Sequence, residues 1–336
     1  MGIPSARMED LQSLVSIPRV WTQLERVEER LLEASTADDP YLTKIAQHLL
    51  IAGGKRFRPL LALLAAEFGD PTDHRPVEAS VSVELIHLGS LYHDDVIDQA
   101  DIRRGAVSAN ANWTNTVAIL AGDFLMARAS EVAATHLSQE SVRLLAATYA
   151  ELVEGQTREL QLQNDLTHSI DDYLQVIGGK TASLIRTSAR LGAMAADATP
   201  DVVENLSEWA WEVGMVFQIA DDALDLVADE ATIGKPAGSD IREGTYTGPV
   251  LMAARGPEGD RVRQLLVDGE APGEEAVAEV IRIVRDGGYV DESLRAARAR
   301  LDRASDALGR LPEGEARRVL ETLGAYLLER VEAVKA

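Results

Sequence analysis

The sequence predicts an all-α protein, a single-domain helical bundle around a central active-site cavity. Apolar residues recur with helical periodicity along most of the chain, whereas the alternating runs typical of strands are scarce. Polar groups fall on helix faces that should point inward, which favours a site in the core of the bundle. The chain has 336 residues, of which 46% are hydrophobic, and no linker is evident, so residues 1–336 are interpreted as one domain.

Capping signals set several of the predicted helix bounds. Asp39 and Pro40 are typical of an N-cap and a first helical residue, and the glycine pair at 53–54 ends that helix. Pro59 is expected to start the next helix, and the segment 199–201 opens another as Asp39 and Pro40 do. The predicted helices span 20–35, 40–52, 59–69, 77–98, 112–121, 123–136, 139–165, 170–195, 200–228, 240–255, 274–286, 289–309 and 314–334.

Composition excludes several functional classes. A net charge of −22 argues against nucleic acid or an anionic membrane as the main partner. The absence of cysteine excludes disulfides, thiolate metal sites and a cysteine nucleophile. The N-terminal segment lacks the pattern of a signal peptide, and no apolar run approaches the roughly 18 residues of a membrane span. A soluble, cytoplasmic protein without a transmembrane segment is therefore expected.

One acidic pattern, DDxxD, occurs twice, each time at the end of a long apolar helix. Its carboxylates are Asp94, Asp95 and Asp98 in the first copy, and Asp221, Asp222 and Asp225 in the second. Because each helical residue turns by about 100°, the first and last carboxylates of a copy share one face and repel each other. A bound cation offsets that repulsion, and oxygen-only ligands favour Mg²⁺, Mn²⁺ or Ca²⁺. Since Mg²⁺ commonly joins carboxylates to substrate phosphates, the pattern points to a diphosphate substrate.

Cationic residues that could bind such an anion lie near the first motif and upstream of it. Arg103 and Arg104 are adjacent, so each could contact a different anion, although a solvated surface pair is the alternative. Lys55 and Arg58 lie in a glycine-rich turn before a helix, where free backbone N–H groups favour a bound anion. The alternative is a basic turn that only caps the helix. His87 lies seven residues before Asp94 on the same face, and its alternative is an ordinary helical histidine.

Two more segments place polar groups where a core helix should be apolar, and a third candidate lies in a loop. Two glycines before Lys180 and Thr181 are expected to break the helix and to free backbone carbonyls. Gln218 lies three residues before Asp221, where an amide oxygen could stabilise a cation; its alternative is helix–helix hydrogen bonding. Lys235 lies in a loop after the second motif, and most such lysines are simply solvated.

Taken in order, these motifs resemble those of the trans-isoprenyl diphosphate synthases, the polyprenyl synthetase family. The matching segments are GGKRFRP at 53–59, ELIHLGSLYHDDVID at 84–98, RRG at 103–105, GGKT at 178–181 and FQIADDALD at 217–225. The resemblance covers about residues 25–330. It implies an isoprenoid-synthase-type bundle, usually a homodimer, in which the two acidic motifs face each other across the cavity.

The resemblance also implies roles for the candidate residues. Two to three Mg²⁺ ions, bound together with the diphosphate, would be held by Asp94, Asp98 and Asp221, with Asp95, Asp222 and Asp225 as further ligands. The allylic diphosphate would be bound by Arg103, Lys180, Thr181, Gln218 and Lys235. Isopentenyl diphosphate would be bound by Lys55, Arg58, His87 and Arg104. The catalytic group would comprise Lys180, Thr181, Gln218, Asp94, Asp98 and Asp221.

The reaction implied is a head-to-tail condensation driven by charge. Metal and cations would neutralise the departing diphosphate, the double bond of isopentenyl diphosphate would attack the allylic carbocation, and the diphosphate would take the proton. No protein nucleophile is needed. One departure from the family pattern is Thr245, which stands where a lysine usually contacts diphosphate. Weaker ground-state binding is expected there rather than a loss of activity, since Lys180 and Lys235 remain.

The residues one or two turns before the first motif are predicted to set the product length. Helical side chains lean toward the N-terminus, so Ile86, Gly89 and Ser90 should lie beneath the diphosphate. In the family a bulky aromatic residue four or five positions before the motif stops short products. The pair Gly89 and Ser90 is expected to leave this space open, which predicts a product of about C30 to C50, although deeper residues such as Phe124, Met126 and Tyr149 could block the tunnel.

Three other functions stay open. A short-chain farnesyl or geranylgeranyl diphosphate synthase would share every motif. A class I terpene cyclase would share the bundle and an acidic motif, but it has no second diphosphate to bind. The basic turn at 53–59 and His87 would have no ligand in a cyclase, and they therefore argue against this function. A regulatory subunit or ion-binding scaffold commonly loses its acidic motifs, and here both are intact.

Overall fold

Helices account for nearly all regular structure in the computed structural model, which describes residues 8–227, 237–266 and 272–335. The N-terminal half contains α1 (Met8–Leu14), α2 (Pro18–Ala34), α3 (Pro40–Ala46), α4 (His48–Ile51), α5 (Phe57–Ala66), α6 (Arg75–Ile97), α7 (Ala109–Asn112), α8 (Asn115–His136) and α9 (Gln139–Leu162). Then follow α10 (Ile170–Ile177), a π-helical segment (Gly178–Ala182), α11 (Ser183–Ala195), α12 (Pro200–Val227), α13 (Ser239–Arg242), α14 (Gly248–Ala253), α15 (Gly259–Leu265), α16 (Glu274–Asp286), α17 (Tyr289–Gly309) and α18 (Glu315–Lys335). The predicted all-α bundle is confirmed.

The bundle is organised around α6, α11 and α12. Helix α6 packs against α8 and α5, α11 packs against α5, α9 and α12, and α12 packs against α17. One hydrophobic cluster connects these helices and includes apolar residues from Leu11 to Val331. Within the described ranges, no helix combines the length and the apolar character that crossing a membrane requires.

Several predicted bounds were wrong because tertiary contacts override local breakers. The predicted helices 112–121 and 123–136 are one helix, α8, which continues through Gly122. The predicted helix 40–52 is split at Gln47 into α3 and α4, and 240–255 is split into α13 and α14. Helix α5 begins at Phe57, two residues before Pro59. Helices α1 and α15 were not predicted, whereas the capping of α3 by Asp39 is confirmed, since its side chain accepts from the backbone N–H of Tyr41.

A short β-hairpin follows α6 and was not predicted. Strands β1 (Ile102–Arg103) and β2 (Ala106–Val107) pair antiparallel, with Arg103 opposite Ala106. The two connecting residues, Arg104 and Gly105, both have positive φ, of 55° and 75°. Such a two-residue loop matches the right-handed twist of paired strands. The turn separates the two adjacent arginines, because Arg103 lies on the strand and Arg104 at its tip.

Candidate active site

Both acidic motifs line one cavity of about 330 Å³. The C-terminal end of α6 contributes Asp94 and Asp98, and that of α12 contributes Asp221, Asp222 and Asp225. The described lining contains eight carboxylate and two cationic side chains, which is an excess of six negative charges if all of them are ionised. That excess favours bound cations, and it disfavours an anionic substrate arriving alone.

The carboxylates of the first motif differ in environment. Asp94 is half-buried, and burial raises its pKa to about 6, with the Lys180 ammonium opposing the rise and Asp98 adding to it. Asp98 is exposed at the rim, where it caps α6. Asp95 is fully buried, does not line the cavity and accepts from Arg103 Nε at 2.5 Å. The structure therefore presents Asp94 and Asp98 to the cavity, while Asp95 holds Arg103.

The carboxylates of the second motif all line the cavity, but two of them are held by other protein groups. Tyr173 Oη donates to Asp222 Oδ2 at 2.6 Å, and Gln218 Nε2 donates to Asp222 Oδ1 at 2.8 Å. Burial and the nearby Asp240 raise the pKa of Asp222 well above its usual range. The backbone N–H of Asp240 lies 3.4 Å from Asp225 Oδ2. Asp222 and Asp225 are thus fixed in place from α10 and α13.

Lys180 and Thr181 reach the cavity from a π-helical segment that replaces the predicted helix break. Residues 170–195 stay helical throughout, and both side chains of the π-helical segment line the cavity. Lys180 Nζ donates to Glu159 on α9, and Thr181 Oγ1 donates to Gln218 Oε1 at 2.9 Å. Burial disfavours the ammonium, but Glu159 and Asp94 outweigh that effect and raise the pKa of Lys180.

Close glycine contacts fix this π-helical segment on two sides. A Cβ at Gly155 of α9 would lie 2.6 Å from the backbone nitrogen of Lys180, and one at Gly214 of α12 would lie 2.7 Å from Ala182 Cα. Neither position tolerates a side chain without movement of backbone. The segment that carries Lys180 and Thr181 is therefore clamped between α9 and α12.

The predicted isopentenyl diphosphate residues form a separate cationic cluster outside the described lining of the cavity. Arg104 donates to the carbonyls of Gly53 and Leu49, at 2.7 and 3.1 Å, and so joins the hairpin tip to the basic turn. Burial lowers the pKa of Arg58 to about 10, and the charge of Glu84 partly opposes this shift. The Nε of Arg58 is buried and has no hydrogen-bond partner in the protein. Burial and four neighbouring arginines likewise lower the pKa of His87. Lys55 lies on the same turn and is half-exposed.

Sequence reasoning missed the acid that holds this cluster together. Glu84 on α6 is 1% exposed, and its Oε1 lies 3.3 Å from Arg56 and 3.9 Å from Arg104. Arg56 is also buried, and it pairs with Glu28 at 2.5 Å. Arg56 lies in the motif at 53–59 and Glu84 in the motif at 84–98, so a glutamate within the mostly apolar α6 was a signal that sequence reasoning could have used. Tyr173 and Glu159 were also missed, and nothing in the local sequence marks them.

The space expected at Gly89 is not open. A Cβ there would lie 2.9 Å from Met126 Cε and 3.0 Å from the carbonyl oxygen of Gly122, because α8 crosses α6 at this point. Ile86 is buried, and Ser90 Oγ donates to the carbonyl of His87 at 2.9 Å. None of these three residues is part of the described cavity lining. The space beside Gly89 is thus filled by α8, which agrees with the alternative that Met126 blocks it, while a role of Ile86, Gly89 and Ser90 in product length stays a prediction.

The position of the missing lysine faces the cavity as expected. Thr245 is half-buried in the lining, and its backbone N–H donates to the carbonyl of Asp240 at 2.8 Å. Lys235, the other predicted diphosphate ligand after the second motif, lies outside the described residues.

Comparison with known proteins assigns the chain to a family. The model of the polyprenyl synthetase family matches residues 39–284, about three quarters of the chain. The chain belongs to the polyprenyl synthetase family. The predicted resemblance and the assignment as a prenyltransferase are thereby confirmed.

Individual relatives cover nearly the whole chain. Nonaprenyl diphosphate synthase of Mycobacterium tuberculosis is 41% identical over 324 residues, covering 96% of each protein. The crystal structure of a decaprenyl diphosphate synthase from Rhodobacter capsulatus superposes with a TM-score of 0.89 at 31% identity, covering 96% of this chain and 99% of that one. Geranylgeranyl pyrophosphate synthase from Corynebacterium glutamicum, complexed with calcium and isoprenyl diphosphate, gives 0.84 at 38% identity and covers 98% and 99%.

Proposed function

We propose that this polyprenyl synthetase condenses isopentenyl diphosphate with an allylic diphosphate, releases diphosphate and yields an all-trans polyprenyl diphosphate. The observation that carries the proposal is the single cavity into which α6 and α12 direct both acidic motifs, beside Arg103 and Lys180. A cyclase needs no second anion site, so the cluster around Arg104 favours condensation of two substrates. Intact carboxylates at Asp94 and Asp221 favour an enzyme over a scaffold.

Magnesium is the proposed cofactor, and the donor set fits it. Asp94, Asp98 and Asp221 offer only oxygen, which suits a hard divalent ion. In the described residues no three acidic, histidine or cysteine side chains are grouped closely enough to hold an ion by themselves. Mg²⁺ typically completes its shell with waters and substrate phosphate, so two to three ions bound together with the diphosphate match this arrangement. When bound, they would neutralise charge that develops on the leaving diphosphate.

The protein groups around the cavity would perform the remaining tasks. Lys180 and Arg103 would contact the allylic diphosphate as the bond between its C1 and oxygen breaks and the electron pair moves to oxygen. Thr181 and Gln218 would lie beside the resulting allylic cation, with the amide oxygen of Gln218 as the stabilising dipole. The double bond of isopentenyl diphosphate would then form the new carbon–carbon bond. A proton lost from the adjacent carbon would go to the released diphosphate.

Isopentenyl diphosphate is proposed to bind at the second cationic cluster, next to the hairpin. Arg58, Arg104, His87 and Lys55 lie on three different segments that converge there. The partnerless Nε of Arg58 is a buried donor, and a buried donor without an acceptor is costly unless a ligand supplies one. A diphosphate would provide that acceptor.

The proposed product has about 30 to 50 carbons. The family relatives with nonaprenyl and decaprenyl products support this range, while the similarity to a geranylgeranyl synthase keeps a short product as the alternative. Since Gly89 is covered by α8, the local argument from that glycine no longer contributes. The test is to supply Mg²⁺, isopentenyl diphosphate and primers of increasing length, and to size the products by chromatography. Products that stop at C15 or C20 with every primer would refute the long-chain proposal, and a cyclic hydrocarbon from the primer alone would refute condensation.

A homodimer is proposed through the outer face of α8 and α9. Ile119 and Leu120 on α8 and Val153 on α9 are 42%, 57% and 48% exposed, which leaves an apolar face opposite the packed side of α8. Leu120→Asp should shift the protein from dimer to monomer in sedimentation experiments. Leu32→Asp, at a residue 42% exposed on α2, is the matched control and should leave the mass unchanged. A wild-type protein that sediments as a monomer would refute the proposal.

A further inference from the structure

A chain of hydrogen bonds joins three elements beside the cavity. Tyr173 Oη on α10 donates to Asp222 Oδ2 at 2.6 Å, and Gln218 Nε2 on α12 donates to Asp222 Oδ1 at 2.8 Å. Thr181 Oγ1, on the π-helical segment, donates to Gln218 Oε1 at 2.9 Å. Each oxygen of Asp222 therefore has its own donor, and the amide of Gln218 is held at both ends. We call this chain the Tyr173 relay.

The relay fixes which end of the Gln218 amide faces which neighbour. An amide can present either its oxygen or its NH₂ group, and the two are nearly equal in size. In the structure both oxygens of Asp222 accept, one from Tyr173 and the other from the NH₂ group of Gln218, so the amide oxygen is turned toward Thr181 and the cavity. A rotated amide would place two N–H dipoles where a cation has to be stabilised, which would oppose the reaction.

The ring of Tyr173 serves for packing, and its hydroxyl group makes the hydrogen bond to Asp222. Its side chain is 7% exposed, and a Cβ on Gly248 of α14 would lie 3.1 Å from its ring. The ring is thus packed from the side of α14 while the hydroxyl faces Asp222. Replacing Tyr173 with Phe removes one oxygen and keeps the packing.

We propose that Tyr173 is a positioning residue, which acts through Asp222 to keep the Gln218 oxygen directed at the allylic cation. The proposal rests on the condensation reaction proposed above, because it assigns Gln218 to the cationic centre of that reaction. It also gives Asp222 an orienting role distinct from the metal contacts of Asp94 and Asp221. The relay should then affect the chemical step rather than the binding of either diphosphate.

The test is a double-mutant cycle on kcat with Tyr173→Phe and Gln218→Ala. Tyr173→Phe alone should lower kcat about tenfold, since it removes the hydrogen bond that holds the Asp222 carboxyl group, with KM for both substrates unchanged. In the Gln218→Ala background, Tyr173→Phe should cause no further loss, because the amide it orients is gone. Losses that multiply across the two backgrounds would overturn the relay, as would an unchanged kcat for Tyr173→Phe.

Magnesium activation separates this role from an effect on the metal site. If Tyr173 acts through Gln218, the Mg²⁺ concentration that gives half-maximal rate stays the same in Tyr173→Phe. A several-fold rise in that concentration would overturn the proposal in favour of a metal-site role. Tyr92→Phe is the matched control, because Tyr92 is a buried tyrosine whose hydroxyl has hydrogen bonds to backbone groups, as donor to carbonyls and as acceptor from the N–H of Leu49, and it should retain the wild-type kcat.

Thermal unfolding tests the relay independently of activity. The single and double variants of Tyr173 and Gln218 should show coupled losses of stability, because both residues share the Asp222 carboxylate. Purely additive losses would overturn the relay even if the enzyme is active. A wild-type protein that forms no elongated diphosphate would instead refute the proposed function, and coupled unfolding would still support the hydrogen-bond chain. If Tyr173→Phe does not fold, Asp222→Asn replaces it in both cycles, since an asparagine can donate to Gln218 and permits the rotated amide.

Discussion

Adding one methyl group at Gly155 should slow the enzyme without touching the cavity. Gly155 lies on α9, and its Cα faces the π-helical segment that carries Lys180 and Thr181. In Gly155→Ala the new Cβ would lie 2.6 Å from the backbone nitrogen of Lys180 and 2.9 Å from the carbonyl carbon of Gly179. Both contacts are with backbone, so no side chain can rotate away. The segment or α9 has to move.

The size of the movement follows from these distances. Ordinary van der Waals contact begins at 3.4 Å, so the two backbones must separate by at least 0.8 Å. A misplacement of about 1 Å in a catalytic group costs up to about 100-fold in rate. We therefore expect kcat to fall by 10- to 100-fold, roughly 1.4 to 2.7 kcal/mol in the barrier. Overpacking should also cost about 1–3 kcal/mol in the free energy of unfolding.

The assay measures kcat for incorporation of isopentenyl diphosphate at saturating substrates and Mg²⁺, at a temperature where the variant is folded. Gly309→Ala is the matched control, because Gly309 ends a helix and a Cβ there would meet nothing within 4 Å. That variant should keep its rate and gain up to about 1 kcal/mol in stability. A folded Gly155→Ala enzyme with wild-type kcat would refute the clamped arrangement of the π-helical segment.

Three further predictions concern charge. Glu84→Gln should raise KM for isopentenyl diphosphate about tenfold with kcat nearly unchanged, because the buried anion that holds Arg56 and Arg104 is lost; an unchanged KM would contradict this. Burial raises the pKa of Asp94 to about 6, so protons compete with the metal, and calorimetry in the presence of inorganic diphosphate should show Mg²⁺ affinity falling from pH 7.5 to 5.5. Asp94→Asn should flatten that dependence, and an equally steep one would exclude Asp94 as its source. Thr245→Lys should lower KM for the allylic diphosphate several-fold by restoring a cationic contact in an acidic lining, and a raised KM would contradict this role.

The sequence was sufficient where the signal is local. The spacing of Asp94 and Asp98 on α6, and the position of Asp221 on α12, follow from helical geometry, and all three line the cavity. The adjacent arginines at 103 and 104 were expected to reach different anions, and the structure separates their side chains. Where a side chain's role depends on a partner remote in sequence, prediction failed or was silent. Gly89 was interpreted as open space, and Met126 was named only as a residue that could block it, because the packing of α8 that brings Gly122 and Met126 against Gly89 cannot be read from the sequence around Gly89.

By itself, the sequence determined the helical class, the two acidic motifs, the basic turn and, through their order, the family. Each of these signals lies within a short stretch of sequence, so residue spacing and the helical repeat are enough to identify it. Only the tertiary structure decided that Asp95 turns inward to Arg103, that the Gly178–Ala182 segment is π-helical, and that Asp222 joins Tyr173 to Gln218. Those outcomes depend on which helices pack together, because a hydrogen bond or a close contact requires both partners in place, and the partners come from elements far apart in the chain.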